Sequence, residues 1–127
     1  MCIRDSAGSD RDQGAIGMSR ENAKSAGLEN VTDFVCCPIS EATPPEGPPG
    51  LVITNPPYGA RIGKTAPLHG LYAAFGARMM STFKGWRVAM VTSEPGLARA
   101  TGLDWDAPGP IVDHGGTKVR LYQRGPI

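Results

Sequence analysis

Five consecutive residues, Asn55-Pro56-Pro57-Tyr58-Gly59, carry the most specific chemistry in this sequence. The two prolines fix φ and lack N–H donors, yet each keeps a carbonyl acceptor. Pro56 also steers Asn55 away from the helical region. The result is a stiff segment offering two acceptors, the Asn55 side-chain oxygen and the Pro56 carbonyl, beside the flat face of Tyr58. An exocyclic amino group on a base or an amide is a poor nucleophile because its lone pair is delocalised. Two acceptors, each taking one N–H, would hold that nitrogen and aim its lone pair at an electrophilic methyl group. Positioning supplies much of the rate in such a site, and acceptors placed where positive charge develops on nitrogen supply more. A planar base stacked on Tyr58 would gain roughly 1–3 kcal/mol, and a base inside a duplex would first have to be flipped out. Asn55, Pro56, Pro57 and Tyr58 are therefore the catalytic candidates. The competing reading is a plain turn, since Asn-Pro and Pro-Pro are common turn pairs. The apolar run before the segment and the Tyr-Gly after it weigh against that reading.

Leu51-Val52-Ile53-Thr54 reads as a short strand that ends where proline cannot continue the ladder. Asn55 then stands at the carboxyl end of a strand, where open α/β sheets place their ligands. Upstream, Gly8-Ser9-Asp10-Arg11-Asp12 reads as a strand end turning into a helix, with Asp12 as its cap. Asp10 is a carboxylate at a strand end and can accept from both ribose hydroxyls of an adenosyl cofactor. The bland alternative is a capped helix start and nothing more. The helix runs from about Gln13 to Ala26, with Ala15, Ile16, Met18, Ala23 and Ala26 as its buried face, and Gly27 stops it. Val31 to Cys37 is a short apolar strand, and Ser40 to Gly50 a loop rich in Pro and Gly.

A second helix spans about Leu68 to Phe83. Its Leu71, Phe75 and Met79, and its Tyr72 and Phe83, recur at helical spacing, as core packing does. Trp86 to Thr92 reads as a buried strand, and Glu94 to Gly102 as a short helix started by Pro95. Pro110 to His114 and Lys118 to Gln123 pair as a hairpin through Gly115-Gly116. Strands alternating with helices indicate an α/β fold, a mainly parallel sheet with helices on both faces. The closing hairpin adds an antiparallel strand. Residues Met1 to Ala7 have no periodic pattern and read as a non-native or unstructured leader to a partial domain over residues 8–127.

The chain has 127 residues, 40% apolar and 20% charged, as an ordinary globular domain does. It has neither an apolar run of about 18 residues nor a signal-peptide core, so a cytoplasmic location is expected. Lys and Arg number 13 against 12 Asp and Glu, a net charge of +1. A self-sufficient nucleic-acid binder carries a clear basic excess, so much of any grip on nucleic acid must come from elsewhere. Cys2, Cys36 and Cys37 form no disulfide framework. Cys36 and Cys37 read as small residues in or beside a strand, and no cysteine or histidine spacing suggests a metal site.

With these motifs in order, the sequence resembles the class I RNA methyltransferases. The segment from Gly8 to Asp12, with Ala15-Ile16, Arg20-Glu21-Asn22-Ala23 and Ala26-Gly27-Leu28, is similar to their second motif region. Val52 to Gly59 with Arg61-Ile62-Gly63 is similar to their fourth. Leu71-Tyr72, Phe83 to Ala89, Thr92-Ser93, Gly115-Gly116 and Val119-Arg120-Leu121 continue the match. The nearest group is the bacterial guanine-N2 methyltransferases of ribosomal RNA that carry an N-terminal THUMP RNA-binding domain. The resemblance implies a Rossmann-like methyltransferase fold, S-adenosylmethionine as donor and ribosomal RNA as partner. It places cofactor contacts on Asp10, Arg11, Ile39 and Asn55, the target amine on Asn55 and Pro56, and base stacking on Tyr58. Two departures stand out. The glycine-rich first motif and its strand, which would precede Gly8, are absent, as is the THUMP domain. Where many relatives carry an acidic residue to meet the adenine amino group, this chain has Cys36-Cys37-Pro38-Ile39-Ser40, which leaves Ile39 to pack on adenine or Glu41 to reach it. The expected activity is methyl transfer from S-adenosylmethionine to N2 of guanine in ribosomal RNA. The alternatives are a DNA adenine-N6 or protein glutamine-N5 methyltransferase, or an inert fragment without its cofactor loop.

Overall fold

The computed structural model describes residues 6–58 and 66–127. Residues 1–5 of the expected leader, and Gly59 with Arg61-Ile62-Gly63, lie outside them. The chain divides into two compact units, one ending at Pro45 and the other spanning Glu46–Ile127.

The first unit is a β-α-β element. Strand β1 (Ser6–Asp10) leads to helix α1 (Gln13–Ser25) and then to strand β2 (Thr32–Cys36). The strands pair in parallel, Ser6 opposite Thr32 and Asp10 opposite Cys36, so both carboxyl ends share one edge. Ser6 and Ala7 belong to β1, two residues before the expected start of the domain. Asp12 caps α1 as expected, its carboxylate accepting from the Gly14 N–H at 3.0 Å. At the other end the Leu28 N–H reaches the Ala23 carbonyl at 2.8 Å and the Gly27 N–H reaches Lys24 at 3.0 Å, a Schellman stop. Ile16 and Ala23 are the buried positions of α1, and Ala15 is half-buried. Met18 and Ala26 are not in the core: Met18 is 67% exposed. At about 100° per residue Met18 points roughly 200° away from Ile16, and Ala26 is already the C-cap. Ile39–Glu41 forms a short 3-10 turn inside the stretch read as loop.

The second unit contains strand β3 (Leu51–Thr54), helix α2 (Ala66–Thr82), strand β4 (Arg87–Thr92), helix α3 (Pro95–Ala100), and strands β5 (Ile111–His114) and β6 (Thr117–Arg124). Its sheet has the order β3-β4-β6-β5. Strands β3 and β4 are parallel, whereas β6 is antiparallel to both of its neighbours. The hairpin thus inserts its returning strand between β4 and β5. Gly115 and Gly116 have φ of 61° and 86°, which a two-residue type I′ turn requires and which glycine adopts without strain. Asp113 braces that turn by accepting from the Gly116 N–H at 2.8 Å. Among the described residues, β1 and β2 pair in one sheet and β3 to β6 in another. Alternating helices and strands specify the parallel pairings, but not which pairs share a sheet.

The core of the second unit includes the expected stripe of α2, Tyr72, Phe75 and Met79, with Phe83 beyond it, and Val88 and Met90 of β4. Leu97 and Ala98 of α3 and Tyr122 of β6 are also buried there. Leu71 is half-buried. No helix among the described residues is long and apolar enough to cross a membrane.

One glycine sets how closely α2 and α3 approach. A Cβ on Gly76 would overlap the Thr101 carbonyl oxygen, a backbone atom that cannot rotate away. We expect Gly76→Ala to destabilise the protein by about 1–3 kcal/mol through overpacking. Gly70 lies in the same helix with open space around it, and Gly70→Ala should stabilise by about 0.5–1 kcal/mol. Urea unfolding of both variants checks the contrast.

Candidate functional site

Strand β3 ends at Thr54, and Asn55–Tyr58 continues without regular structure from its carboxyl end. Asn55 and Pro57 are exposed, and Pro56 and Tyr58 are half-buried. The Asn55 side chain and the Pro56 carbonyl have no hydrogen-bond partner among the described residues. The Pro57 carbonyl is engaged: it accepts from the Tyr72 hydroxyl at 3.0 Å. That hydroxyl lies 3.1 Å from Thr92 Oγ1, and Thr92 Oγ1 accepts from the Glu94 N–H at 3.3 Å. Tyr72 and Thr92 are each only 1% exposed. Because β3 and β4 are parallel, with Thr54 opposite Met90, Asn55 and Thr92 both emerge at the same edge of the sheet.

Burial holds the Tyr72 hydroxyl above its ordinary value of 10.0, and the Thr92 hydrogen bond only partly opposes this. The nearby charges of Tyr58 and Glu94 add to the rise. The group is therefore a protonated donor through neutral pH. Sequence reasoning placed Tyr72 in the core stripe but missed this bond. The available signal was the residue type, since a buried tyrosine hydroxyl needs a partner that phenylalanine does not.

In the first unit, Asp10, Arg11 and Ile39 gather at the carboxyl edge of the β1–β2 pair. The Cys37 N–H donates to the Asp10 carbonyl at 3.0 Å. One Asp10 carboxylate oxygen accepts from the Asp12 N–H at 2.8 Å. The other has no partner among the described residues. The Arg11 carbonyl accepts from the Cys36 thiol at 3.5 Å. Ile39 opens the 3-10 turn, half-buried, and Glu41 closes it, exposed. Cys36 is an exposed free thiol and Cys37 a half-buried one. Among the described residues no group of three or more His, Cys, Asp or Glu side chains could hold a metal ion. A concavity of about 320 Å³ lined by Arg20, Lys24, Glu29, Asp33 and their neighbours runs along α1 and the start of β2. It lies at the opposite end of the strand from Asp10 and brings together none of the site residues.

The parallel β-α-β start, the proline-stiffened acceptor segment after β3 and the antiparallel strand inserted beside β4 define a class I methyltransferase fold. The crystal structure of SMU.472 complexed with SAH superposes with a TM-score of 0.85 at 26% identity, covering 95% of this chain and 31% of that one. Residues 3–107 match the family described as RMKL-like, methyltransferase domain, and the chain belongs to that family. The ribosomal RNA large subunit methyltransferase K/L of Chromohalobacter salexigens is 41% identical over 98 residues, which is 76% of this chain and 13% of that protein. Its namesake in Marinomonas sp. is 40% identical over 118 residues, or 91% of this chain and 16% of that protein. The chain thus spans only about a seventh of the length of these relatives.

The buried hydroxyl has a measurable consequence. In the unfolded chain tyrosine ionises near pH 10, whereas folded Tyr72 ionises higher. Between the two values the unfolded state binds fewer protons, so this contribution is complete below about pH 10 and is lost as pH rises through the folded value. We expect Tyr72→Phe to cost about 1 kcal/mol at neutral pH, yet to lose less stability than the wild type between about pH 9 and 11. Urea unfolding across that range provides the measurement.

Proposed function

We propose that this chain carries the acceptor-amine and adenosyl contacts of an S-adenosylmethionine-dependent methyltransferase acting on N2 of guanine in ribosomal RNA. The observation that carries this reading is the Asn55–Tyr58 segment at a strand's carboxyl end, whose Asn55 side chain and Pro56 carbonyl have no hydrogen-bond partner among the described residues. Membership of a methyltransferase domain family and likeness to ribosomal RNA methyltransferases support the choice of reaction and polymer.

The residues present fit the adenosyl part of the cofactor. Asp10 is exposed, and the carboxylate oxygen not taken by the Asp12 N–H has no partner among the described residues and would accept from ribose, with Arg11 following it. Ile39 gives a half-buried apolar surface for adenine just beyond β2. Bound there, S-adenosylmethionine supplies an electrophilic methyl on a sulfonium. Asn55 and Pro56 would accept the two N–H bonds of the guanine amine and turn its lone pair toward an incoming methyl. In such a transfer the nitrogen–methyl bond would form as the sulfonium–methyl bond breaks, S-adenosylhomocysteine leaving with the electron pair. Both acceptors would stabilise the positive charge growing on nitrogen more strongly than in the ground state. The nitrogen proton is lost to solvent during or after transfer, so no strong general base is needed. Pro57 fixes φ at its position in the segment, and Tyr58 would stack the base.

In the full-length protein, Asn55→Ala should lower kcat by at least about 100-fold with circular dichroism and melting temperature unchanged. Turnover like that of the wild type would refute this mechanism. Asp10→Ala should weaken S-adenosylmethionine binding by about tenfold or more, since it removes charge-assisted hydrogen bonds. Calorimetric titration measures that loss. Incubation with ribosomal RNA, DNA and a release factor identifies the substrate. The expected product is N2-methylguanine in RNA, whereas N6-methyladenine in DNA or N5-methylglutamine in protein would overturn the assignment.

A further inference from the structure

We propose that Tyr72 and Thr92 form a clamp that fixes the backbone of the Asn55–Tyr58 segment and so sets the aim of its two acceptors. The proposal rests on the methyl-transfer reading of that segment. Proline fixes φ but leaves ψ open, so Pro56 and Pro57 alone do not determine where the carbonyls point. Two anchors remove the remaining freedom. Upstream, Asn55 follows directly from β3, which is hydrogen-bonded to β4. Downstream, the Tyr72 hydroxyl holds the Pro57 carbonyl at 3.0 Å. The Pro56 carbonyl lies between these anchors, and Tyr58 follows the second one. Fixing the Pro57 carbonyl fixes ψ of that residue, and with it the direction in which the chain enters Tyr58.

The anchor is itself anchored. Tyr72 has one hydroxyl hydrogen, and it is committed to Pro57. Thr92, 3.1 Å away, therefore donates its own hydrogen to the Tyr72 oxygen. Thr92 Oγ1 then accepts from the Glu94 N–H at 3.3 Å. This relay links the segment after β3 to the end of β4 and the start of α3. Both side chains are 1% exposed, so water does not compete for these bonds. Tyr72 and Thr92 touch no reacting atom in this scheme. They are positioning residues that act through Pro57.

The test uses the full-length protein, ribosomal RNA as acceptor and radiolabelled S-adenosylmethionine as donor. Tyr72→Phe and Thr92→Val each remove one hydroxyl at nearly constant volume. Each should lower kcat by about tenfold or more, as small misplacements of reacting groups do, while KM for S-adenosylmethionine stays within about twofold. Thr92→Ser keeps the hydroxyl and should recover most of the wild-type rate, which a purely packing role for Thr92 does not predict. The Tyr72→Phe/Thr92→Val double variant should be no slower than the slower single, because both bonds serve one carbonyl. The clamp is refuted by a wild-type kcat in either single variant, by Thr92→Ser being as slow as Thr92→Val, or by fully additive losses. If Tyr72→Phe fails to fold, the Val and Ser substitutions at Thr92 decide alone. Asn55→Ala separates the two claims. An inactive Asn55→Ala beside fully active clamp variants refutes the clamp only, whereas an active Asn55→Ala, or a wild type that does not methylate ribosomal RNA, removes the basis for both.

Discussion

Parallel pairing of β3 with β4 is the constraint on which the second unit depends. Parallel neighbours need a long crossover, usually a helix, to bring the chain back to the same end of the sheet. Here α2 is that crossover. The same pairing sends the chain out of both strands at one edge, Asn55 from β3 and Ser93 from β4. The acceptor segment, the threonine at the end of β4 and the helix that packs against them are therefore brought together by topology before any side chain interacts. Tyr72 sits on the buried stripe of α2, where its ring joins the core and its hydroxyl reaches the sheet edge.

That placement makes one buried group serve two needs. A tyrosine hydroxyl sealed from water costs free energy unless it is hydrogen-bonded. The Pro57 carbonyl, in a segment with no ladder partner, also needs a donor. Each satisfies the other, and Thr92 completes the set. Among the described residues, the Pro56 carbonyl and the Asn55 side chain have no such partners. A backbone that pairs one carbonyl and leaves its neighbour open has separated a structural acceptor from one available to a ligand, and the separation arises from which residue of α2 faces the segment.

Much of this was legible in the sequence, and the failures have physical causes. The bounds of β3, Leu51–Thr54, follow from an apolar run stopped by two prolines. The span of α1 follows from the Asp12 cap and the Gly27 stop. Met18 was misplaced in the core because residue type was counted without its angle around the helix. The start of β1 at Ser6 was missed because a two-stranded element that is mostly exposed leaves little hydrophobic pattern to read. The Tyr72–Pro57 bond was invisible because periodicity reports which face of a helix is buried, not where a terminal oxygen ends. The bond joins residues 15 apart, and only the folded crossover brings them into contact.

Charge limits what this chain contributes to substrate binding. Thirteen basic residues are nearly cancelled by twelve acidic ones. Affinity for RNA comes largely from cations that displace counterions from phosphates, and a near-neutral surface gathers little of that energy. In the proposed reaction the acceptor segment would contribute something different: hydrogen bonds and stacking directed at one base, which select and orient but do not capture a long polyanion. For the proposed reaction, capture and chemistry therefore fall to different surfaces. Truncation of a separate RNA-gripping surface would then raise the KM for RNA more than it lowers kcat, while loss of the Asn55 acceptor would act chiefly on kcat. Under the proposed reaction, the small net charge of this chain is thus compatible with catalysis on RNA, because Asn55 and Pro56 would address one nitrogen atom rather than the polymer.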